Sequence, residues 1–148
     1  QLILNQAIEN FDIISYNTSL DIKDFDISFA RGLSLEDGCA TITNFTGYLI
    51  SEGIKFSKKN NKNISDKYLT CGGGRKNNFL INCIKKYLKN FDNIILDPID
   101  LYNHKGDYIE SQAFGYLAIR SYLGLPITFP KTTGCKVPTT GGVVVKNF

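Results

Sequence analysis

The chain has 148 residues, 43% of them hydrophobic and 12% aromatic, which is one domain's worth of material with enough apolar side chain to bury a core. Its net charge of +3 is too small and too scattered to specify a nucleic-acid surface. No apolar run approaches a membrane span, and no signal peptide is visible. The four cysteines, Cys39, Cys71, Cys83 and Cys135, make no CxxC pair and no zinc spacing, so no metal site is read from them. Three of them fall in apolar-periodic segments, where a thiol acts as a small hydrophobe. Reduced cysteines imply a cytoplasmic protein.

The chain carries no initiator Met and opens on Gln1-Leu2-Ile3-Leu4, which reads as the later part of something longer. Leu2, Ile3, Ala7, Ile8 and Phe11 recur at helical spacing and predict a first helix. Residues 12–30 are rich in Ser, Thr, Asn and Asp, whose side chains compete with regular structure. Ser34-Leu35-Glu36-Asp37 opens a second helix in capping-box form. Leu35, Cys39, Ile42, Phe45, Leu49 and Ile54 form its apolar face, and Thr43 and Thr46 lie along it without a spacing that implies a ligand. Residues 57–66 are a polar loop, and Lys58-Lys59, like Lys85-Lys86, reads as solvated.

Lys67-Tyr68-Leu69-Thr70-Cys71-Gly72-Gly73-Gly74-Arg75-Lys76-Asn77-Asn78 organises the rest. It predicts a short strand with Leu69 and Cys71 on its apolar side, then a turn of three glycines, then a helix capped by Asn77 or Asn78. Glycines allow a sharp turn and let another molecule approach bare backbone. A helix start adds unpaired N–H groups that favour a phosphate or another polar ligand. A plain strand-to-helix connection has the same composition. The stretch is neither a Walker loop nor the dinucleotide GxGxxG fingerprint.

Phe79, Leu80, Cys83, Ile84, Tyr87 and Leu88 then form an apolar helical stripe. Ile94-Ile95-Leu96 is a second strand, stopped by Asp97-Pro98. Strand, helix and strand make a βαβ unit with parallel strands and a right-handed crossover. His104, the single histidine, sits in a loop and is read as solvated, with no nucleophile to pair with. Asp107-Tyr108-Ile109-Glu110 opens the last strong helix, again in capping-box form. Ala113, Phe114, Tyr116, Leu117, Ala118 and Ile119 make it apolar nearly all round, so it is expected to be well buried. Gly124 and Pro126 end it, and the remainder is extended and turn-rich. No internal repeat is visible.

Four ordered blocks resemble the C-terminal part of the anhydro-N-acetylmuramic acid kinase family, sugar kinases of the actin/Hsp70/hexokinase-like superfamily. Ser19-Leu20-Asp21 with Asp24-Phe25-Asp26 resembles the segment after the family's Pro-rich stretch, with Tyr16, Asn17 and Thr18 in place of the usual Pro and Lys. Leu35-Glu36-Asp37 through Ala40-Thr41-Ile42-Thr43 and Phe45-Thr46 resembles its DxxATLTxFT helix. Cys71-Gly72-Gly73-Gly74 with Asn77 resembles its CGGGxxN adenosine-side motif. Gly106-Asp107, Glu110, Ala113-Phe114, Tyr116-Leu117-Ala118, Arg120, Gly124-Leu125-Pro126 and Thr132-Thr133-Gly134 resemble its long and specific final block.

The resemblance implies an α/β fold, the C-terminal portion of an actin-like (ribonuclease H-like) ATPase fold, with residues 1–148 as one piece on the nucleotide side and the N-terminal lobe absent. It implies ATP and magnesium as cofactors and a sugar as substrate, with no nucleic acid and no membrane as partner. The reaction would open the 1,6-anhydro ring of anhydro-N-acetylmuramic acid and phosphorylate O6, giving N-acetylmuramate 6-phosphate in peptidoglycan recycling. It places Gly72, Gly73, Gly74 and Asn77 at the nucleotide. Glu110 is the candidate catalytic residue beside sugar and phosphates, with helix capping by Asp107 and Glu110 as the alternative. The family's GTSxDGxD phosphate motif and its general-base aspartate are absent, so the isolated chain is expected to be inactive. The competing expectations are another ATPase of the superfamily, or a non-catalytic module of the same fold that self-associates as a homodimer through the apolar surface a second lobe would cover.

Overall fold

A computed structural model describes residues 1–11, 16, 20, 22–61, 63–91 and 93–145, with the side chain of Ile22 left aside. Asn17, Thr18, Ser19 and Asp21 of the first family block lie outside the described residues. Helix α1 (Leu2–Glu9) buries Leu4 and Ala7 against Phe45 of α2 (Leu35–Asn60). Ile8, Phe11, Phe29, Tyr48 and Leu49 close around that cluster. Phe45 is met edge-on by Phe11 at 6.2 Å and Phe29 at 5.1 Å between ring centres, the arrangement that aromatic quadrupoles favour. The stretch expected to be irregular contributes two short 3-10 turns, Ile22–Asp24 and Ser28–Ala30. Tyr16 donates its hydroxyl to the Leu49 carbonyl, and burial, with the Glu52 charge and Tyr48 adding to it, pushes its phenol up to about 12.

Ser34 caps α2 as its sequence predicts, its hydroxyl accepting from the Asp37 amide at 3.1 Å. Leu35 is nonetheless 78% exposed and Cys39 is exposed too, because the covering elements meet α2 further along. The helix also runs on to Asn60, through the first part of the predicted polar loop. Lys58 is not solvated: its ammonium donates to the Ile64 carbonyl at 2.6 Å and pairs with Asp66. Those contacts, at a helix end that favours cations, extend the helix.

Helix α3 (Asn78–Leu88) packs along α2 at unusually short range. A methyl group at Gly47 would lie 2.6 Å from the Cys83 Cβ. One turn on, the fully buried Ser51 donates to the Gly47 carbonyl at 2.7 Å, with the Ile84 carbonyl of α3 at 3.2 Å as a second acceptor. Glycine and serine four residues apart thus present a smooth strip to α3. Tyr87 donates to Asn44 at 2.8 Å and stacks edge-on against Tyr48. Of the four cysteines, all free, only Cys83 is buried; periodicity misplaced Cys39 and Cys71, which are exposed.

Strands β1 (Lys67–Thr70) and β2 (Ile95–Pro98) pair in parallel, Lys67 opposite Ile95 and Thr70 opposite Pro98. The predicted βαβ unit is present, within a mixed fold of helices and a small parallel sheet. Its facing differs from expectation. β1 ends before Cys71, and Leu69 is 43% exposed while Tyr68 and Thr70 are half-buried. Asp97 and Pro98, expected to stop β2, are its last two residues, the proline at a terminal position that needs no donor.

Helix α4 (Ile109–Tyr122) is the largest departure. No residue of it is buried, and Phe114, Tyr116 and Ile119 stand 60–64% exposed. An all-round apolar sequence demands partners, and among the described residues few reach it. The chain beyond returns to one flank, where Gly142 comes against Ser121 and residues 141–144 form an apolar groove with α4. Gly124, at φ 68°, ends the helix in a Schellman turn, with Leu125 N–H bonded to the Arg120 carbonyl at 2.8 Å. The tail is less extended than expected, since Pro130 starts a one-turn helix, α5 (Pro130–Thr133). Among the described residues no helix is long and apolar enough to cross a membrane.

Candidate functional site

Gly72 leaves β1 at φ 71°, a conformation that side chains rarely adopt, and the chain then makes a 3-10 turn over Gly73–Lys76. Methyl groups placed at Gly72 or Gly73 meet nothing within 4 Å, and at Gly74 only the tip of Leu80 at 3.8 Å. The turn is therefore an open ledge of bare backbone at the carboxyl end of a parallel strand. Asn77 follows as the cap of α3: its Oδ1 accepts from the Leu80 amide at 3.1 Å. Its amide nitrogen is left to donate outward, because among the described residues it makes no bond.

The residue that holds this ledge was not singled out in the sequence. Arg75 has a side chain only 7% exposed. Its guanidinium forks onto Asp100, Nε to Oδ2 at 2.6 Å and Nη2 to Oδ1 at 3.0 Å. Its Nη1 donates to the Gly72 carbonyl at 2.8 Å and to Asp107 at 2.7 Å. Lys76 reaches the other Asp107 oxygen at 2.8 Å. Gly106 completes the arrangement: its carbonyl accepts from the Gly72 amide at 2.9 Å, and its missing side chain makes room for Arg75, whose Nε would sit 2.4 Å from a Cβ there. The only sequence signal was an arginine beside the glycines with two aspartates downstream, and neither the pairing nor the burial can be read from spacing.

Asp107 is thus no helix cap. The 3-10 turn Gly106–Tyr108 precedes α4, Tyr108 is the cap residue, and no side chain bonds the first turn. The capping-box expectation for Asp107 and Glu110 fails because Arg75 and Lys76 offer full charges in place of a backbone dipole. Glu110 is exposed in the first turn of α4, and its carboxylate makes no bond among the described residues. The bonds from Gly72 to Gly106 and from Arg75 to Asp107 bring the glycine turn beside the start of Glu110's helix.

Asp100 is held down to about 2, mainly by its Arg75 hydrogen bonds and also by the Gly106 amide. Asp107 is held lower still by Arg75 and then Lys76. Both carboxyls therefore bind protons less readily in the folded chain than in the unfolded one. Their stabilisation is complete above the ordinary carboxylate range, about pH 4, and is lost as the pH falls toward 2. Asp26, lowered by its hydrogen bonds from Ser28, acts in the same direction. Thermal melts between pH 5 and pH 2 are expected to show Tm falling through that window, and falling less in an Asp100→Asn, Asp107→Asn double variant. An identical acid limb in the double variant would mean the cluster is not formed in solution.

No described group of three or more His, Cys, Asp or Glu stands together as metal ligands, and Asp100 and Asp107 are committed to cations. These residues do not by themselves fit a magnesium ion.

Fold and ledge together define an α/β protein with its candidate ligand site at the end of a parallel strand, where ligands of such sheets usually lie. The chain belongs to the anhydro-N-acetylmuramic acid kinase family, a phosphotransferase family whose model it matches over residues 9–147. A relative named anhydro-N-acetylmuramic acid kinase from Pelagibacter ubique (strain HTCC1062) is 51% identical over 150 residues, covering 100% of this chain and 40% of the relative. Relatives of the same name from Zymomonas mobilis and Methylorubrum populi are 38% and 37% identical, covering 84% and 85% of this chain and 32% and 31% of theirs. The chain therefore spans two fifths or less of the length of these curated relatives.

Proposed function

We propose that this chain is the C-terminal, nucleotide-side portion of a two-lobe, actin-like sugar kinase of the cytoplasm, and that adenosine of ATP lies on the ledge of Gly72, Gly73 and Gly74. The observation that carries the reading is the open backbone of that turn, immediately before a helix capped by Asn77. Adenine or ribose can lie against glycine backbone, and the free Asn77 amide can donate to it. Glu110, exposed beside the ledge, would meet the sugar or the transferring phosphoryl group. The sugar would be anhydro-N-acetylmuramic acid, opened by water and phosphorylated on O6 to N-acetylmuramate 6-phosphate. The phosphate loop and the general base would come from the part of the relatives' length that this chain does not span, and magnesium would arrive on the ATP phosphates. Positioning and charge neutralisation would then carry the transfer, and the 148-residue chain alone would not turn over.

Gly73→Ala tests the ledge. In the free chain the added methyl meets nothing, and Gly73 is not at positive φ, so stability is expected to hold or to rise by about 0.4–1 kcal/mol. With adenosine against the backbone, the same methyl removes the contact. NMR titration with MgATP is expected to shift the amides of residues 72–74 in the native chain, and to require at least about tenfold more nucleotide in Gly73→Ala. A native chain whose ledge amides do not respond would support the inert-module alternative.

A further inference from the structure

We propose that Arg75 is a positioning residue of the nucleotide site: its guanidinium fixes the shape of the glycine ledge and locks the ledge to the helix that carries Glu110. The inference rests on the adenosine reading above and adds a residue to it. Five observations support it.

The guanidinium is nearly buried, although its partners Asp100 and Asp107 are about half exposed. It is therefore held in place and does not sample solvent. It donates to the carbonyl of Gly72, the positive-φ residue at which the turn leaves β1. It forks onto Asp100, which lies in the 3-10 turn Ile99–Tyr102 directly after β2. It bonds Asp107, three residues ahead of Glu110. One planar group thus joins the end of β1, the end of β2 and the start of α4. A planar fork with fixed directions can do this, whereas a lysine ammonium, a point charge on a flexible stem, cannot satisfy the same set. Gly106 is shaped for it, since any larger residue would occupy the space of Nε and Cζ.

The consequence for binding follows from preorganisation. A glycine turn without a brace samples many conformations, and a ligand must select the competent one. Arg75 removes that penalty from behind the ledge, with four of its five N–H donors spent on Asp100, Asp107 and the Gly72 carbonyl.

The test compares the native chain with Arg75→Ala and Arg75→Lys, using NMR titration of the ledge amides with two probes, MgATP and adenosine. Thermal melts accompany each variant. If Arg75 positions the ledge, both probes weaken by the same factor, about five- to tenfold, and Arg75→Lys does not restore them although it restores the charge. Weakening of MgATP alone would mean that Arg75 binds phosphate directly, and would overturn the positioning role. A lowered Tm with unchanged dissociation constants in the folded variant would reduce it to a structural brace, and would also overturn it. Asp107→Asn guards against misfolding of the arginine variants: it keeps the Asp100 fork and the Gly72 bond, weakens the tie to α4, and is expected to broaden or shift the Glu110 amide. An unmoved Glu110 amide would overturn the link to that helix. If the native chain itself binds neither probe, the adenosine reading has failed, which is a different result from intact native binding that survives in the variants.

Discussion

Phe45→Ala is expected to destabilise the chain by about 3–5 kcal/mol, the range for removing a buried aromatic side chain and leaving its space unfilled. Phe45 is 5% exposed and is the residue of α2 on which α1 closes. It is ringed by Phe11, Phe29 and Tyr48, so the loss is not one of area alone, since three ring contacts go with it. Domains of this size are stable by only about 5–15 kcal/mol, and the variant would sit close to unfolding at room temperature. Urea denaturation measures this as a lower midpoint at an unchanged slope. A change below about 1 kcal/mol would mean that α1 does not dock on α2 in solution.

Gly47→Ala is the second large effect, and its sign is informative. Helix propensity alone favours alanine over glycine by about 1 kcal/mol at an interior position. Here the new methyl would stand 2.6 Å from the Cys83 Cβ and 3.3 Å from the Ile84 backbone nitrogen. Neither atom can swing away as a side-chain tip can, so the helices must part. Overpacking of this kind costs about 1–3 kcal/mol, and separating the helices also stretches the buried Ser51 bonds. We expect a net loss of about 1–2 kcal/mol in chemical denaturation. Cys83→Ala does not rescue it, because the clash is with Cβ and not with sulfur. Gly115→Ala, in α4 where the added methyl meets nothing, is the control and should gain stability. A gain at Gly47 as well would show that α2 and α3 do not pack this closely.

Local chemistry was legible in the sequence. Ser34 and Asn77 cap the helices they were expected to cap, because an N-cap needs only its own side chain and the next turn. The parallel βαβ unit followed from two apolar runs flanking a helical stripe. What failed was whatever depends on a distant partner. Asp107 fitted a cap by spacing, yet Arg75, 32 residues earlier, outbids a backbone amide for its carboxylate. Leu69 and Cys71 looked like the inner side of β1, but alternation gives two faces without saying which is covered. The apolar sequence of α4 stated a need for partners and not their presence. At the candidate site, the glycines and Asn77 were identified by composition and motif. The guanidinium that organises them was not, because a buried arginine in such a cluster has the same local sequence as an exposed one.

The parallel pairing of β1 and β2 carries a consequence for how the chain reaches this state. Strands that run the same way cannot zip from a hairpin, so the sheet must wait until α3 has been laid down between them. The α2–α3 pairing spans no less chain, 33 residues from Ser51 to Ile84 against 28 from Lys67 to Ile95, so sequence locality does not place it ahead of the sheet. The ledge hangs from the end of β1 and draws its bracing from Asp100 and Asp107, 25 and 32 residues away. It is complete only once the chain through Asp107 is in place, so a ligand held there would favour the state in which β1, β2 and α4 are joined.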